Sequence, residues 1–408
     1  MEYELIHLPN GIRVILHHAA SPVSHVCMII NAGARDEGEG HYGLAHLIEH
    51  LLFKQTEKRN TTQILNRLEA VGGDLNAYTT KEYTCVHASF LSPYLARALD
   101  LFEDLFFHSV FPENELEKEK GVILDEMASY WDSPEEAIMD DFEDQLFRGH
   151  ALGHNILGTV DDLKRLAKAD IVAFIQQHYN THETIIGISG DYTWKETNGI
   201  VTRILGKIPE NQRRKRKSSP AEHENTHVVI KKPINQSHYV MGGLAYDNHH
   251  EYKTGLLLLN NILGGMGMSS RLNLIIREKH GIAYTIESNY TPFSDTGLFH
   301  VYFGTDEEKV DKAARLVTRE LKKMRDQKLG VMQLYQAKKK FKGQIALGEE
   351  NRLNLIITLA KSLLDYSQVQ TLAEVFAKID AVTADQLLAI ANEIFADGHL
   401  SSLRFVPE

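Results

Sequence analysis

The alternation of apolar and polar residues predicts strands at the start of the chain. Two alternating runs flank Asn10-Gly11, a dipeptide typical of hairpin turns. A third run, SHVCMIINA at 24–32, predicts another strand, and LNAYTTKEYTCVHASF at 75–90 predicts two strands joined by a polar turn. Because strands and helical segments are mixed rather than repeated as strict β–α units, the pattern predicts an α+β fold with largely antiparallel sheets.

A helical period marks residues 44–53, LAHLIEHLLF, which are apolar nearly all round. At 100° per residue, His50 lies about 40° to one side of His46 and Glu49 about 60° to the other, so the three side chains share one face. A helix of this composition is predicted to be buried. Its polar groups therefore need partners that a hydrocarbon core cannot supply.

A metal ion is one such partner. His46, Glu49 and His50 follow the order H-x-x-E-H, the inverted form of the zinc-peptidase motif. Two imidazoles one turn apart can reach a zinc ion at about 2.0–2.1 Å, while the glutamate between them reaches a water molecule on the metal. A five-residue pattern also arises by chance, and a buried histidine is often a satisfied core residue. The motif alone leaves both interpretations open.

A second helix, predicted over residues 112–130, carries two carboxylates on its apolar stripe. Glu119 and Glu126 are separated by about 20° around the helix axis. Burial of either without a cation or a donor would be costly. One of them could be a third zinc ligand, since a catalytic zinc site usually has three protein ligands. The alternative is a charged helix residue paired with a neighbouring lysine.

Length and charge limit the function classes. The chain has 408 residues, which suggests two domains, and its formal charge of -11 gives no reason to expect nucleic acid or an anionic membrane as a partner. No apolar run reaches the roughly 18 residues of a membrane span, and no export signal is evident at the amino terminus. The only cysteines, Cys27 and Cys85, fit a reducing compartment. We therefore expect a cytoplasmic protein.

A polar stretch at 213–225, RRKRKSSPAEHEN, suggests a linker. We predict a catalytic domain at 1–212 and a second domain at 226–408. The sequence PINQSHYVMGGLAYD at 233–247 is similar to PVSHVCMIINAGARD at 22–36, which suggests that the domains are repeats of one fold. No second H-x-x-E-H follows the linker, so we expect one metal site per chain.

Together these motifs resemble the pitrilysin-type zinc peptidases, the family of insulin-degrading enzyme and mitochondrial processing peptidase. The resemblance rests on HLIEH followed by LLFKQTEKR, on NAYTTKEYT, on the two glutamates seven residues apart, and on the segments at 149–163 and 178–192. It implies two similar domains that face each other as a clamshell. It also implies that Glu126 is the third zinc ligand and Glu119 an accessory carboxylate.

The second domain contains GGMGMSSRLNLIIREKHGIAY at 264–284. Its glycines lack the G-x-G-x-x-G spacing of a dinucleotide loop. In the pitrilysin-type family, an arginine and a tyrosine seven residues apart serve the active site from the second domain, and Arg277 and Tyr284 match that pattern. Without the resemblance, an arginine at a helix end and a tyrosine in a strand would be interpreted as structural.

These observations predict a zinc endopeptidase with one Zn²⁺ per chain. Glu49 would be the general base, and zinc with Tyr284 would stabilise the tetrahedral oxyanion. By resemblance, the substrate is an extended or unfolded peptide that is enclosed in a chamber. The peptide would bind as an added strand near Asn76-Ala77, and Arg277 would bind a carbonyl or carboxylate of the peptide.

The same resemblance implies an assembly and two competing functions. Larger relatives build the chamber from four domains, so a homodimer is expected here, and a heterodimer is possible. A non-catalytic peptide-binding or scaffold subunit of the same fold is the first alternative. Zinc-dependent hydrolysis of a non-peptide substrate is the second.

Overall fold

Two β-sheets with packed helices make up the fold of residues 3–212 and 224–408, which are the residues that the computed structural model describes. The predicted linker at 213–225 lies largely outside the described residues. The mixed order of strands and helices and the largely antiparallel pairing confirm the predicted α+β fold class. Among the described residues, no helix combines the length and the apolar composition needed to cross a membrane.

The strands and helices are numbered in chain order. The strands are β1 (Tyr3–His7), β2 (Arg13–His18), β3 (Val23–Ile30), β4 (Asp74–Thr79), β5 (Thr84–Leu91), β6 (Thr184–Gly190), β7 (His227–Lys232), β8 (Ser237–Ala245), β9 (Ile286–Pro292), β10 (Gly297–Thr305) and β11 (Ser401–Pro407). The helices are α1 (Leu44–Leu52), α2 (Thr61–Glu69), α3 (Leu95–Phe107), α4 (Glu113–Trp131), α5 (Pro134–Leu146), α6 (Val160–Arg165), α7 (Lys168–His178), α8 (Trp194–Leu205), α9 (Lys253–Gly264), α10 (Glu307–Asp326), α11 (Val331–Gly348), α12 (Arg352–Tyr366), α13 (Leu372–Ala381) and α14 (Ala384–Ile394). A π-helical segment, Asn273–Lys279, precedes β9.

The first compact unit contains the described residues up to 127 together with 154–212 and 347–371. Its six-stranded sheet has the order β1-β2-β6-β3-β5-β4, in which only β2 and β6 are parallel. The predicted hairpin at Asn10-Gly11 joins β1 to β2. Strand β4 lies at one edge of the sheet, so its outer N–H and C=O groups face away from β5.

The second compact unit contains residues 128–153, the described residues between 224 and 346, and 372–408. Its five-stranded sheet has the order β7-β11-β8-β10-β9, and only β7 and β11 are parallel. Helices α9, α10 and α14 pack on one side of this sheet with Phe299, Val301 and Phe303 of β10. Helix α5 covers the other side, where Leu298 and Tyr302 lie.

Two helices pack away from their sequence neighbours. Helix α5 follows α4 along the chain but packs on β8 and β11. Helix α12 comes from the later half of the chain but packs on β3 and β6, where Cys27 Sγ lies 3.8 Å from the carbonyl oxygen of Ile356. The predicted division at 1–212 and 226–408 assigns α5 to the first domain and α12 to the second, whereas each helix packs on the sheet of the other unit. An apolar helix stripe does not specify which sheet it will cover.

Candidate metal centre

Helix α1 has one polar face, and its other faces are apolar and buried. Leu47, Ile48 and Leu51 are completely buried, and the helix packs near β4 and α7. His46 and Glu49 are each 9% exposed. The apolar residues fix the rotation of the helix because each rotation away from this one would expose them to water. The polar side chains are thereby held at a defined position.

Three side chains from two helices converge at this face. His46 Nε2 lies 3.9 Å and His50 Nε2 lies 3.7 Å from Glu126 Oε2. One ligand atom from each residue lies within 4.8 Å of the other two, and within residues 3–212 and 224–408 this is the only such cluster of His, Cys, Asp or Glu that could hold a metal ion. The two histidines come from α1 and the glutamate from α4.

The surroundings of the two histidines are compatible with metal binding. His50 Nδ1 lies 3.1 Å from Glu119 Oε2. Since a carboxylate only accepts hydrogen bonds, His50 Nδ1 donates to Glu119, and His50 Nε2 is the ring nitrogen that faces Glu126. Burial, and then the neighbouring His50, lowers the pKa of His46 to about 3. Two imidazoles beside a carboxylate are ligand types that zinc binds well, and metal binding requires the ligating nitrogens to be unprotonated.

Glu119 lies beside the converging atoms rather than among them. Its side chain is buried and accepts from Lys54 Nζ at 2.7 Å as well as from His50. A carboxylate that bonds the far nitrogen of a ligating histidine orients the ring and increases its basicity. Glu126, and not Glu119, belongs to the candidate cluster, and the roles of ligand and accessory carboxylate stay predictions.

One carboxylate oxygen of Glu49 accepts a hydrogen bond from a neighbouring strand. Its Oε2 accepts a hydrogen bond from Thr79 Oγ1 at 3.0 Å. Burial raises the pKa of Glu49, which brings the carboxyl group closer to the range of a general base at neutral pH. Thr79 is the last residue of β4, and sequence reasoning missed it. The only sequence signal is its place in a strand near the motif, because nothing local links it to α1.

Asn76 and Ala77 lie on β4, three and two residues before Thr79. The strand is an edge of the sheet, and Asn76 is exposed. Asn76 Oδ1 accepts from the backbone N–H of Ala77 at 2.8 Å. The edge strand that would receive a peptide therefore also carries the hydroxyl that bonds Glu49.

Arg277 and Tyr284 lie in the second unit and contact each other. The guanidinium of Arg277 lies over the ring of Tyr284, 4.8 Å from its centroid. Arg277 belongs to the π-helical segment, and Tyr284 is 82% exposed. The predicted site residues thus form two groups, one with the metal ligands in the first unit and one in the second unit.

Neither cysteine has the properties of a nucleophile. Both are free and completely buried in the sheet of the first unit. Burial raises the pKa of Cys85 to about 12 and that of Cys27 well above its ordinary value. Since the thiolate is the reactive form, these residues act as small core side chains.

Comparison with known sequences gives two adjacent family matches. Residues 13–160 match the family described as Insulinase (Peptidase family M16), and residues 165–341 match the one described as Peptidase M16 inactive domain. The chain is 32% identical over 400 residues to an uncharacterized zinc protease of Streptomyces coelicolor, covering 95% of this chain and 86% of that protein. It is 29% identical to the uncharacterized zinc protease YmxG of Bacillus subtilis, covering 97% and 96% of the two chains.

Comparison with solved structures supports the same fold. The crystal structure of a protease from Helicobacter pylori has a TM-score of 0.92 and 20% identity, covering 100% of this chain and 99% of that one. The crystal structure of a peptidase M16 inactive domain from Pseudomonas fluorescens also gives 0.92 at 20% identity, covering 100% and 98%. At this identity the likeness concerns the fold.

Proposed function

The chain belongs to the insulinase family of peptidases, family M16, and from this membership we propose that it is a zinc-dependent endopeptidase acting on extended or unfolded peptides. The observation that carries the proposal is the convergence of ligand atoms of His46, His50 and Glu126 within 4.8 Å, with Glu49 on the same helix as the two histidines. A bound zinc ion would supply Lewis acidity, which polarises a peptide carbonyl and lowers the pKa of a water molecule toward neutrality.

The roles of this chain's residues follow from their hydrogen bonds. His46, His50 and Glu126 would hold the ion. Glu119 keeps His50 in the tautomer whose Nε2 has a free electron pair. Glu49 takes a proton from the attacking water at Oε1, since Thr79 occupies Oε2, and later gives that proton to the leaving amine.

The free edge of β4 supports binding of the peptide as an added strand near Asn76-Ala77. Recognition of this kind uses mainly the main chain of the substrate, so it tolerates many sequences. Arg277 would bind a carbonyl or carboxylate of the peptide through its forked donors, and Tyr284 would donate a hydrogen bond to the developing oxyanion. The mutual contact of Arg277 and Tyr284 supports their acting as a pair.

The assembly and the location belong to the same proposal. The chain has length for two of the four domains that larger relatives use, so we propose a homodimer that encloses its substrate in a chamber. Cys27 and Cys85 are both free and buried, which fits the reducing conditions of the cytoplasm.

A peptide library tests this function. The zinc-loaded protein is incubated with random-sequence peptides, and the products are identified by mass spectrometry, with the Glu49→Gln variant as control. Internal cleavage by the native protein and its loss in the variant are the expected results. Peptide binding without cleavage would favour a non-catalytic binding or scaffold subunit. Hydrolysis of esters or small amides, with peptides left intact, would favour a non-peptide hydrolase.

A further inference from the structure

Helix α1, which carries His46 and His50, is called the metal helix below. The loop before it, residues 33–43, contains a buried carboxylate that the proposed chemistry does not use. Glu37 is 8% exposed, and burial raises the pKa of its carboxyl group. Its Oε1 accepts from the N–H of Ala45 at 2.7 Å, and its Oε2 accepts from the N–H of Gly43 at 2.9 Å. His154 Nε2 lies 3.0 Å from the same Oε2. Three donors on one carboxylate compensate for the loss of water.

Glu37 supplies a cap that α1 cannot obtain locally. The residue before the helix is Gly43, whose φ is 92° and which has no side chain to accept a hydrogen bond. A Cβ built there would lie 2.4 Å from the carbonyl oxygen of Leu157, so no serine, threonine or aspartate fits this position. The Glu37 carboxylate also lies at the positive end of the helix dipole. The Glu37 side chain therefore provides both the hydrogen-bond acceptors and the negative charge that favour this helix end.

The other part of the loop is fixed to the turn that follows β4. The N–H of Ala34 donates to Thr80 O at 3.0 Å, and the N–H of Arg35 donates to Lys81 O at 2.8 Å. Arg35 Nη1 also donates to Glu82 Oε1 at 2.7 Å, and both side chains are buried. The loop thus connects the start of the metal helix to the end of the edge strand.

The two connected elements meet at the general base. Thr79, at the end of β4, donates to Glu49 on α1 at 3.0 Å. A shift of α1 along β4 would change this bond and would move His46 and His50 relative to Glu126. A misplacement of about 1 Å can cost about 10²-fold in rate. We propose that Glu37 is a positioning residue of the metal centre, which holds α1 in register with β4 through its contacts with Gly43, Ala45 and His154.

Two matched substitutions in one loop separate this role from general destabilisation. Glu37→Gln keeps the size of the side chain but replaces one acceptor oxygen by an NH₂ group that faces an N–H donor. Glu39→Gln removes the same charge two residues away, at an exposed position. The full-length proteins are compared in zinc-loaded, cobalt-loaded and metal-free form. The measurements are kcat and KM, the visible spectrum of bound cobalt, and the thermal midpoint.

For Glu37→Gln we expect kcat to fall about 10²-fold with KM unchanged within about twofold. We also expect a shifted cobalt spectrum, which reports the arrangement of the ligands, and a metal-free midpoint lower by about 2–4 °C. Glu39→Gln should match the native protein in each measurement. A Glu37→Gln protein with native kcat and a native cobalt spectrum, altered only in its midpoint, would overturn the proposal.

Should Glu37→Gln not fold, Glu37→Asp decides the question. Its shorter carboxylate keeps the charge but cannot reach both backbone donors, so kcat should fall about tenfold and the cobalt spectrum should shift. Native values for both would overturn the proposal. The activity measurement rests on the proposed function, but the cobalt spectrum does not. If the native protein cleaves no peptide, the proposed function fails while the spectra still decide the role of Glu37.

Discussion

The two units share a strand topology, but among the described residues only the first contains a cluster of side chains that could hold a metal ion. Strands β2-β6-β3-β5-β4 and β7-β11-β8-β10-β9 each begin with one parallel pair and continue with three antiparallel pairs. Helix α1 follows β3 as α9 follows β8, and α4 is the second long helix after β5 as α11 is after β10. The similar sequences at 22–36 and 233–247 contain β3 and β8, which hold the same place in the two sheets.

The side chains on these helix pairs explain the difference between the units. In the first unit, two imidazoles and a carboxylate converge in a cluster that could hold a metal ion. In the second unit, Asn261 on α9 donates to Gln344 on α11 at 2.8 Å. Two neutral amides are joined there by one hydrogen bond, and the NH₂ group of Gln344 also donates to Met266 O.

The largest difference between the two units is expected from substitution of Glu49, the proposed general base of the first unit. Glu49→Gln should retain zinc but lower kcat by about 10²–10⁴-fold, because an amide cannot take a proton. Asn261→Ala, on the corresponding helix of the second unit, should leave both zinc content and kcat unchanged within about twofold. Steady-state kinetics and metal analysis measure these effects. A Glu49→Gln protein with native turnover would remove Glu49 from the mechanism.

The contribution of the second unit is tested at Tyr284. Tyr284→Phe should keep zinc and peptide affinity but lower kcat by about 10²–10³-fold, the typical cost of losing one oxyanion donor. Arg277→Ala should mainly raise KM. Tyr335→Phe is a suitable control because Tyr335 is another exposed tyrosine of this unit. Unchanged turnover in Tyr284→Phe would mean that the oxyanion is stabilised by the first unit alone.

The two glutamates of α4 sharpen the assignment of the metal ligands. Glu126→Gln should weaken zinc binding most, since a neutral group replaces a charged ligand. Glu119→Gln should weaken it by about 10–100-fold, as expected when a partner of a ligating histidine is lost. Competition with a chromogenic chelator gives both affinities. A larger loss in Glu119→Gln than in Glu126→Gln would reverse the assignment.

The smallest effect concerns a buried histidine of the second unit. His300 on β10 is 5% exposed, neither of its ring nitrogens has a hydrogen-bond partner among the described residues, and burial lowers its pKa to about 4. Below pH 6.5 the unfolded chain binds a proton that the folded protein does not, so stability falls as the pH decreases toward 4. At pH 5 this costs about 2 kcal/mol relative to pH 7.5.

His300→Phe should remove that part of the pH dependence, whereas His280→Phe, at an exposed histidine, should retain it. Urea unfolding at pH 5 and pH 7.5 provides the comparison, and zinc should leave the difference unchanged. An identical pH dependence in His300→Phe and the native protein would contradict this account of His300.

Local patterns were sufficient to predict several elements. The turn at Asn10-Gly11 joins two strands as predicted, because it depends on neighbours in sequence. The predicted helix at 112–130 is α4, at Glu113–Trp131. The H-x-x-E-H spacing likewise defines one face of a single helix, since its three residues lie within five positions.

Contacts between distant positions were not predictable in this way. Thr79 lies 30 residues from Glu49, and Glu37 reaches across a loop to α1, so neither contact leaves a periodic pattern in the sequence. The placement of α5 and α12 is similar. Their apolar stripes predict burial, but the choice of sheet depends on the complementary surfaces of the folded chain.

A zinc titration of the metal-free protein tests the central claim most directly. Peptide cleavage is followed as zinc is added to the native protein and to Glu126→Gln at known concentrations. For the native protein we expect activity to rise in proportion to added zinc and to stop at one ion per chain, while Glu126→Gln needs a large excess. Full cleavage by metal-free native protein, or an endpoint at two ions per chain, would contradict a single zinc site formed by His46, His50 and Glu126.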